Sequence, residues 1–253
     1  MGLTAINSCN IVSYMKNQRI KASTIPAIMA PWRYEASFNR WIGGKGRAFR
    51  AFAADLVEVG SGMSVLDLGS GTGTWAMELK RRVGESGHVA GVDLSEALVA
   101  GARRKAKRAG LPIDFQVASV ERLPFADASM DLIVSSLVMH HLAPDVLARA
   151  VSEIRRVVKP GGRVVILDFH SLDQAGNGHH GSNHGSAAHG HGHGHRHGHQ
   201  HGHDHPPTHH GHLHDHQHTL VALLRSAGFT NAHSTTVEFG QRLELTQGRL
   251  ITS

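Results

Sequence analysis

Residues 65–73, VLDLGSGTG, carry an apolar run into three glycines at alternate positions, Gly69, Gly71 and Gly73, and helical periodicity follows at once. Glycine tolerates positive φ and lets the backbone N–H groups of a turn approach a ligand closely. The start of the helix beyond such a turn favours negative charge. From this point the chain alternates. Ser64–Leu68, His88–Asp93, Ile113–Val117, Asp131–Ser136 and Arg163–Phe169 have the length and apolar content of strands. Between them, Thr74–Val83, Ser95–Ala109 with Ser95 as cap, and Asp145–Val158 have helical spacing. Strands alternating with helices of this length predict an α/β fold, a mostly parallel sheet with helices on both faces.

The rest of the chain divides by composition. Eighteen of the 23 histidines lie between His179 and His218, in a stretch, 175–218, that holds almost no apolar side chain. Setting it and roughly the first 30 residues aside leaves about 179 of the 253, enough for one sizeable core. We expect five segments. Residues 1–31 read as a tail, with Pro26 and Pro31 breaking any helix and Met29 a candidate natural start. Residues 32–60 read as a helical lid, two short helices around Gly43, Gly44 and Gly46, with Phe38, Trp41, Ile42, Phe49, Phe52, Leu56 and Val57 recurring near helical spacing. The ligand-binding core is expected over 61–174 and a disordered His-rich loop over 175–218. A helix over 219–227, ended by Gly228, and a closing strand pair complete the core over 219–253.

Charge and cysteine content narrow the function classes. The formal net charge is +6, of which residues 1–60 alone supply +5. A second basic run, Arg103, Arg104, Lys105, Lys107 and Arg108, falls on one expected helix. No aromatics interleave with it, so it reads as a solvated face rather than a nucleic-acid groove. Peripheral contact with an anionic membrane stays open. A single cysteine, Cys9, excludes a disulfide framework and a CxxC zinc site. No apolar run approaches the roughly 20 residues of a spanning helix, and no signal-peptide order opens the chain. The expected compartment is the cytoplasm.

The glycine turn identifies its ligand by its neighbours. Asp93 ends the second strand 22 residues after Gly71, where a carboxylate suits two ribose hydroxyls. Read from Gly71, GTGTWA fits the dinucleotide fingerprint G-x-G-x-x-A. Read from Asp67, the chain has an acid two residues before the first glycine. A carboxylate there repels a pyrophosphate and welcomes an ammonium group. The amino-acid end of S-adenosylmethionine carries one, so Asp67 tips the choice away from a nicotinamide dinucleotide.

Four stretches, VLDLGSGTGTWAMEL, VAGVDLSEALVAGARRKAKRAGL, ASVERLPFADASMDLIVSSLVMHHL and EIRRVVKPGGRVVILDF, occur in order between Ser64 and Phe169. In this order the sequence resembles the class I S-adenosylmethionine-dependent methyltransferases, in the group of the quinone-biosynthesis and phospholipid N-methyltransferases. The resemblance implies a Rossmann-like, seven-stranded sheet whose last strand is antiparallel, with the cofactor at the carboxyl ends of the first strands. It places the methionine end on Asp67, Gly69, Ser70, Gly71, Thr72 and Gly73, and the ribose on Asp93. Leu94, Ser119 and Val120 surround the adenine, and Ser136 faces the methionine portion. The family commonly has Asp or Asn where Ser119 stands; a serine reaches less far toward the adenine amino group.

Catalytic groups are less sharply marked. His140 and His141 follow the fourth strand, where a base would stand beside the transferred methyl group; equally, one orients the loop and the other packs. Tyr34 and Asp168 are weaker candidates. The aromatics of Trp32–Phe52 cover an apolar acceptor or bury against the sheet. The leading expectation is a methyltransferase acting on a small-molecule or lipid-like acceptor. The alternatives are a metal-handling protein on a methyltransferase scaffold and an NAD(P)-dependent oxidoreductase. The sequence does not give the acceptor or the oligomeric state. Residues 191–205, HGHGHRHGHQHGHDH, place His191, His193, His195, His197, His199, His201, His203 and His205 at every second position. Neutral imidazoles so clustered suit zinc, nickel or copper, and the tract has too little apolar surface to offset its ordering entropy.

Overall fold

A computed structural model of the chain describes residues 31–169 and 219–251. Its elements are α1 (Pro31–Trp41), α2 (Gly46–Leu56), β1 (Ser64–Leu68), α3 (Thr74–Val83), β2 (His88–Asp93) and α4 (Glu96–Arg108), followed by β3 (Asp114–Val117) and β4 (Met130–Ser136). A 3₁₀ turn at Met139–His141 leads to α5 (Pro144–Val157) and β5 (Val158–Phe169). Helical backbone over 219–226, labelled α6, precedes β6 (Phe229–Glu238) and β7 (Arg242–Leu250).

The seven strands lie in the order β3-β2-β1-β4-β5-β7-β6. β7 enters between β5 and β6 and pairs antiparallel with both, while every pair from β3 to β5 is parallel. The expected seven-stranded architecture and its antiparallel last strand are thus present. Side chains alternate along each strand, so the sheet feeds two cores. Leu66, Leu68, Val92, Ile133 and Ile166 face α5 and α6. Val65, Val89, Leu132, Val134 and Val165 face α2, α3 and α4.

Three boundaries differ from the sequence reading. Pro31 opens α1 instead of breaking it, because the first position of a helix needs no N–H partner. Pro144 does the same for α5. β5 begins at Val158 rather than Arg163, pairing Val158 with Met130 before an irregularity in register between Met130 and Leu132. A bulge of this kind accommodates Pro160, which has no ladder N–H to donate. Ser95 caps α4 as expected, its hydroxyl accepting from Leu98 N–H at 3.3 Å. The basic run on α4 is only partly a solvated face: Arg103 donates to the Phe115 carbonyl at 2.8 Å and Lys105 to Thr74 Oγ1 at 2.6 Å.

One close approach sets the glycine turn on the sheet. Asp67, Gly91 and Phe115 stand in register across β1, β2 and β3. A methyl group at Gly91 would lie 2.8 Å from Phe115 Cδ1, and one at Gly73 only 2.5 Å from Phe115 Cζ. Gly73 also has φ +73° as the residue before α3. The Phe115 ring is therefore wedged under the turn through space that no other residue type leaves. We expect Gly91→Ala to cost about 1–3 kcal/mol by overpacking. Adding Phe115→Leu should recover part of that loss, since the two sites are in contact; equilibrium denaturation of the single and double variants would show strict additivity if the contact were unimportant.

Candidate functional site

The glycine turn lies at the carboxyl ends of β1, β2 and β4 and lines a cavity of about 50 Å³. Asp67, Gly69, Ser70, Thr72 and Ser136, all expected from the sequence, border it. Phe38 from α1, Phe49 and Arg50 from α2, Thr74 and Trp75 from α3, and Leu137 complete the wall.

Three polar groups here have no protein partner. Ser70 Oγ and Trp75 Nε1 are buried without a hydrogen bond. Asp67 is 2 % exposed, and among the described residues no hydrogen bond or ion pair reaches its carboxylate. Burial, with the Asp93 carboxylate as a second cause, pushes Asp67 well above the usual carboxylate range. Buried polar groups are ordinarily satisfied. The Asp67 carboxylate and the Ser70 hydroxyl can accept from a ligand's ammonium group, whereas Trp75 Nε1–H, a donor only, calls for an acceptor.

Asp93 holds the opposite side of the turn. Its Oδ2 accepts from Gly71 N–H and its Oδ1 from Ser95 N–H, both at 2.9 Å. Burial raises its pKa, which those backbone donors and Leu94 N–H partly offset. A carboxylate has about four acceptor positions, so these three N–H groups leave about one for a ligand hydroxyl. Leu94 and Val117, at the ends of β2 and β3, are 42 % and 45 % exposed apolar side chains, a suitable flank for a planar base. Ser119 Oγ is engaged locally, accepting from Glu121 N–H at 3.2 Å. The Val120 side chain is buried in the core, so only its backbone is left to meet a ligand.

The segment after β4 is built by strain. Leu137 has φ +58°, costly for a bulky residue. Its N–H donates to the Leu167 carbonyl at 2.8 Å, and Val138 then comes to rest against Gly69. The 3₁₀ turn that follows sets His140 against Asp168. His140 N–H donates to Asp168 Oδ2 at 3.0 Å, and His140 Nδ1 lies on Asp168 Oδ1. No hydrogen bond engages Nε2 among the described residues. Burial alone would raise Asp168, but His140 and two backbone N–H groups hold it below its ordinary value. His141, its ring 3.7 Å from that of His140, is driven down to about 3 by burial and by its neighbour, and so stays neutral. The sequence set the two histidines level; the structure gives a carboxylate partner to His140 only. Phe169 packs edge-on to His140 at 4.8 Å and to Trp41 at 5.2 Å.

Phe38 and Phe49 are spent on packing, Phe38 meeting Phe49 at 5.5 Å and Phe49 meeting Phe239 at 5.5 Å, whereas Trp32 of α1 is 71 % exposed. Tyr34 falls in α1. Glu35, Arg50, Thr74, Trp75 and Lys105 are site residues the sequence reading did not single out. The one available signal was Glu35, one of three acids among the first sixty residues. It accepts from the hydroxyls of Thr72 and Thr74, from Arg50 Nη2 at 2.7 Å and from Lys105 Nζ at 3.1 Å. Burial opposes its ionisation, yet these partners bring its pKa down to about 2. The eight tract histidines, His191 to His205, lie outside the described residues; among the described ones no group of three ligating side chains could hold a metal ion.

Residues 65–162 match the family described as a methyltransferase domain. Over this stretch the chain is similar to methyltransferase domains. The ubiquinone/menaquinone biosynthesis C-methyltransferase UbiE of Bordetella avium is 32 % identical over 137 residues, 54 % of this chain and 53 % of that one. The UbiE of Haemophilus ducreyi is 31 % identical over 160 residues, covering 62 % and 60 %. The chain therefore spans little more than half the length of these relatives. In fold it is similar to a SAM-dependent methyltransferase from Aquifex aeolicus, with TM-score 0.56 at 21 % identity, over 80 % of this chain and 89 % of that one. The [4+2]-cyclase SpnF is as similar, with TM-score 0.56 at 17 % identity and 81 % of each chain covered. The fold alone thus leaves the chemistry to the site.

The orphaned carboxylate yields a test. A carboxyl whose native pKa is raised binds protons more readily folded than unfolded, so ionised Asp67 detracts from stability at neutral pH and the penalty fades as pH falls toward 3.8. Asp67→Asn should unfold at a higher temperature than wild type at pH 7, with the gap closing on acidification. The same variant should lose the stabilisation that S-adenosylmethionine confers on wild type in a thermal shift series.

Proposed function

We propose that this protein transfers a methyl group from S-adenosylmethionine to a small, ionisable acceptor, aromatic or lipid-like in the manner the UbiE name describes for its relatives. The observation that carries this is the buried Asp67 carboxylate, unpartnered beside the glycine turn. It would take the cofactor's ammonium, with Ser70 beside it, while Asp93 takes a ribose hydroxyl and Leu94 and Val117 flank the adenine. Gly69, Gly71, Thr72 and Gly73 would approach the methionine end, and Ser119, the Val120 backbone and Ser136 would complete the contact. Bound there, the cofactor supplies an electrophilic methyl group on sulfur.

The protein's part is alignment and proton removal. Asp168 fixes His140 with Nδ1 toward the carboxylate, which leaves Nε2 to accept a proton from the acceptor's attacking group. The acceptor's attacking group would give its proton to Nε2 as it takes up the methyl group, the electron pair of the broken carbon–sulfur bond staying with the cofactor. Asp168 then balances the imidazolium. His141 is buried and held neutral. Labelled-methyl transfer into a cell extract tests activity and acceptor together. We expect His140→Ala to lower kcat by at least about 100-fold while the affinity for S-adenosylmethionine stays within a factor of about two. A full kcat in that variant would remove His140 from the chemistry.

No helix among the described residues is long and apolar enough to cross a membrane. We further propose that the alternating histidines of 191–205 bind zinc, nickel or copper, an affinity that should fall as pH drops through about 6.5 because protonated imidazole cannot ligate. A chain with Ala175 joined to Thr219 should keep cofactor binding and lose most of its nickel uptake. Unchanged stoichiometry in equilibrium dialysis would place the metal elsewhere.

A further inference from the structure

The amino-acid end of S-adenosylmethionine is a zwitterion, with a carboxylate one carbon from its ammonium. A site for it needs an anionic and a cationic half. Asp67 provides the first and has no partner of its own among the described residues. The second borders the same cavity, which Arg50 and Thr72 also line. There, two hydroxyls, a guanidinium and an ammonium converge on one carboxylate, that of Glu35. Arg50 is further fixed over the Phe38 ring, 4.7 Å from its centroid, so its charge is aimed before any ligand arrives. This donor set is what a carboxylate ligand calls for. In this structure the carboxylate comes from α1 itself.

The remaining space agrees. A cavity of about 50 Å³ holds a few water molecules, not a methionine side chain. Phe38, one helical turn from Glu35, and Arg50 form the wall that reduces it. Glu35 and Phe38 both belong to α1, so moving one side chain off the turn frees the space beside the other.

We propose that Glu35 is a displaceable internal stand-in for the cofactor's carboxylate, and that Arg50 and Thr72, with Thr74 and Lys105, form the subsite the cofactor claims by displacing it. This rests on the S-adenosylmethionine reading above. It makes α1 a latch that competes with the cofactor at one half of its amino-acid site and leaves the nucleoside half untouched. A ligand that binds only the released state has its affinity reduced by the fraction of molecules released. Weakening the latch therefore tightens ligands that carry the carboxylate and no others.

Two ligands separate these cases in calorimetry. S-adenosylhomocysteine has the whole amino-acid end; 5′-methylthioadenosine keeps the nucleoside and sulfur but lacks it. Glu35→Gln should bind S-adenosylhomocysteine about tenfold more tightly than wild type and leave 5′-methylthioadenosine unchanged. Arg50→Gln should weaken S-adenosylhomocysteine about tenfold, again without effect on the shorter ligand. Unchanged binding of 5′-methylthioadenosine also certifies that each variant is folded. Should Glu35→Gln lose it, Glu35→Asp, whose carboxylate is withdrawn by one methylene, is expected to shift S-adenosylhomocysteine in the same direction. Equal or weaker binding of S-adenosylhomocysteine by the Glu35 variants overturns the latch while leaving the cofactor reading in place. Wild-type protein that binds neither ligand overturns both.

Discussion

The wedge of Phe115 beneath the glycine turn is the contact on which the rest of the site depends. The ring fills the space that side chains at Gly73 and Gly91 would take, and Ala102 of α4 closes in from the other side of Gly73. The turn is therefore pressed between β3 and α4 rather than hung from β1. That placement aims Gly71 N–H at Asp93, sets Asp67 at the bottom of the cavity and starts α3 where its N-terminus faces the ligand space. A larger residue at either glycine displaces the ring, and with it every group positioned by the turn.

The electrostatics of the site are those of a surface prepared for a charged partner. Asp67 is buried against its own charge, with Asp93 making matters worse. Glu35 shows the reverse, a carboxylate so well provided with donors that its pKa falls to about 2 in spite of burial. One wall lacks a cation and the other has its anion supplied from within the chain. Both conditions would be relieved together by the zwitterionic ligand proposed above. That economy is why the two walls are best understood together.

On the acceptor side, a strained residue turns two like side chains into unlike ones. Leu137 at φ +58° bends the chain so that only His140 reaches Asp168. His141 is left buried beside the His140 ring and is held neutral chiefly by that burial. Backbone strain of this kind persists only where the surroundings impose it; here Leu167, Val138 and Gly69 do so. Phe169 and Trp41 then link this loop to α1, so the helix that bears Glu35 is joined to His140 through these two rings.

Read alone, the sequence determined the sheet, the turn and the cofactor-side acids. Those depend on local rules: period-two and period-3.6 patterning, glycine where φ is positive, and a carboxylate at a strand end. Hence β1, β2, α3 and the Ser95 cap were legible to the residue. The tertiary structure alone decided three things. It chose His140 over His141, because the choice rests on Asp168, 28 residues away. It drew Lys105 and Arg103 out of the apparent solvated face, since their partners Glu35 and Phe115 lie on other elements. And it brought Glu35 onto Thr72, 37 positions along the chain, where a helix read as cover for an acceptor meets the cofactor turn instead. Such contacts are set by how elements dock, and side-chain patterning within an element carries no record of which neighbour it will face.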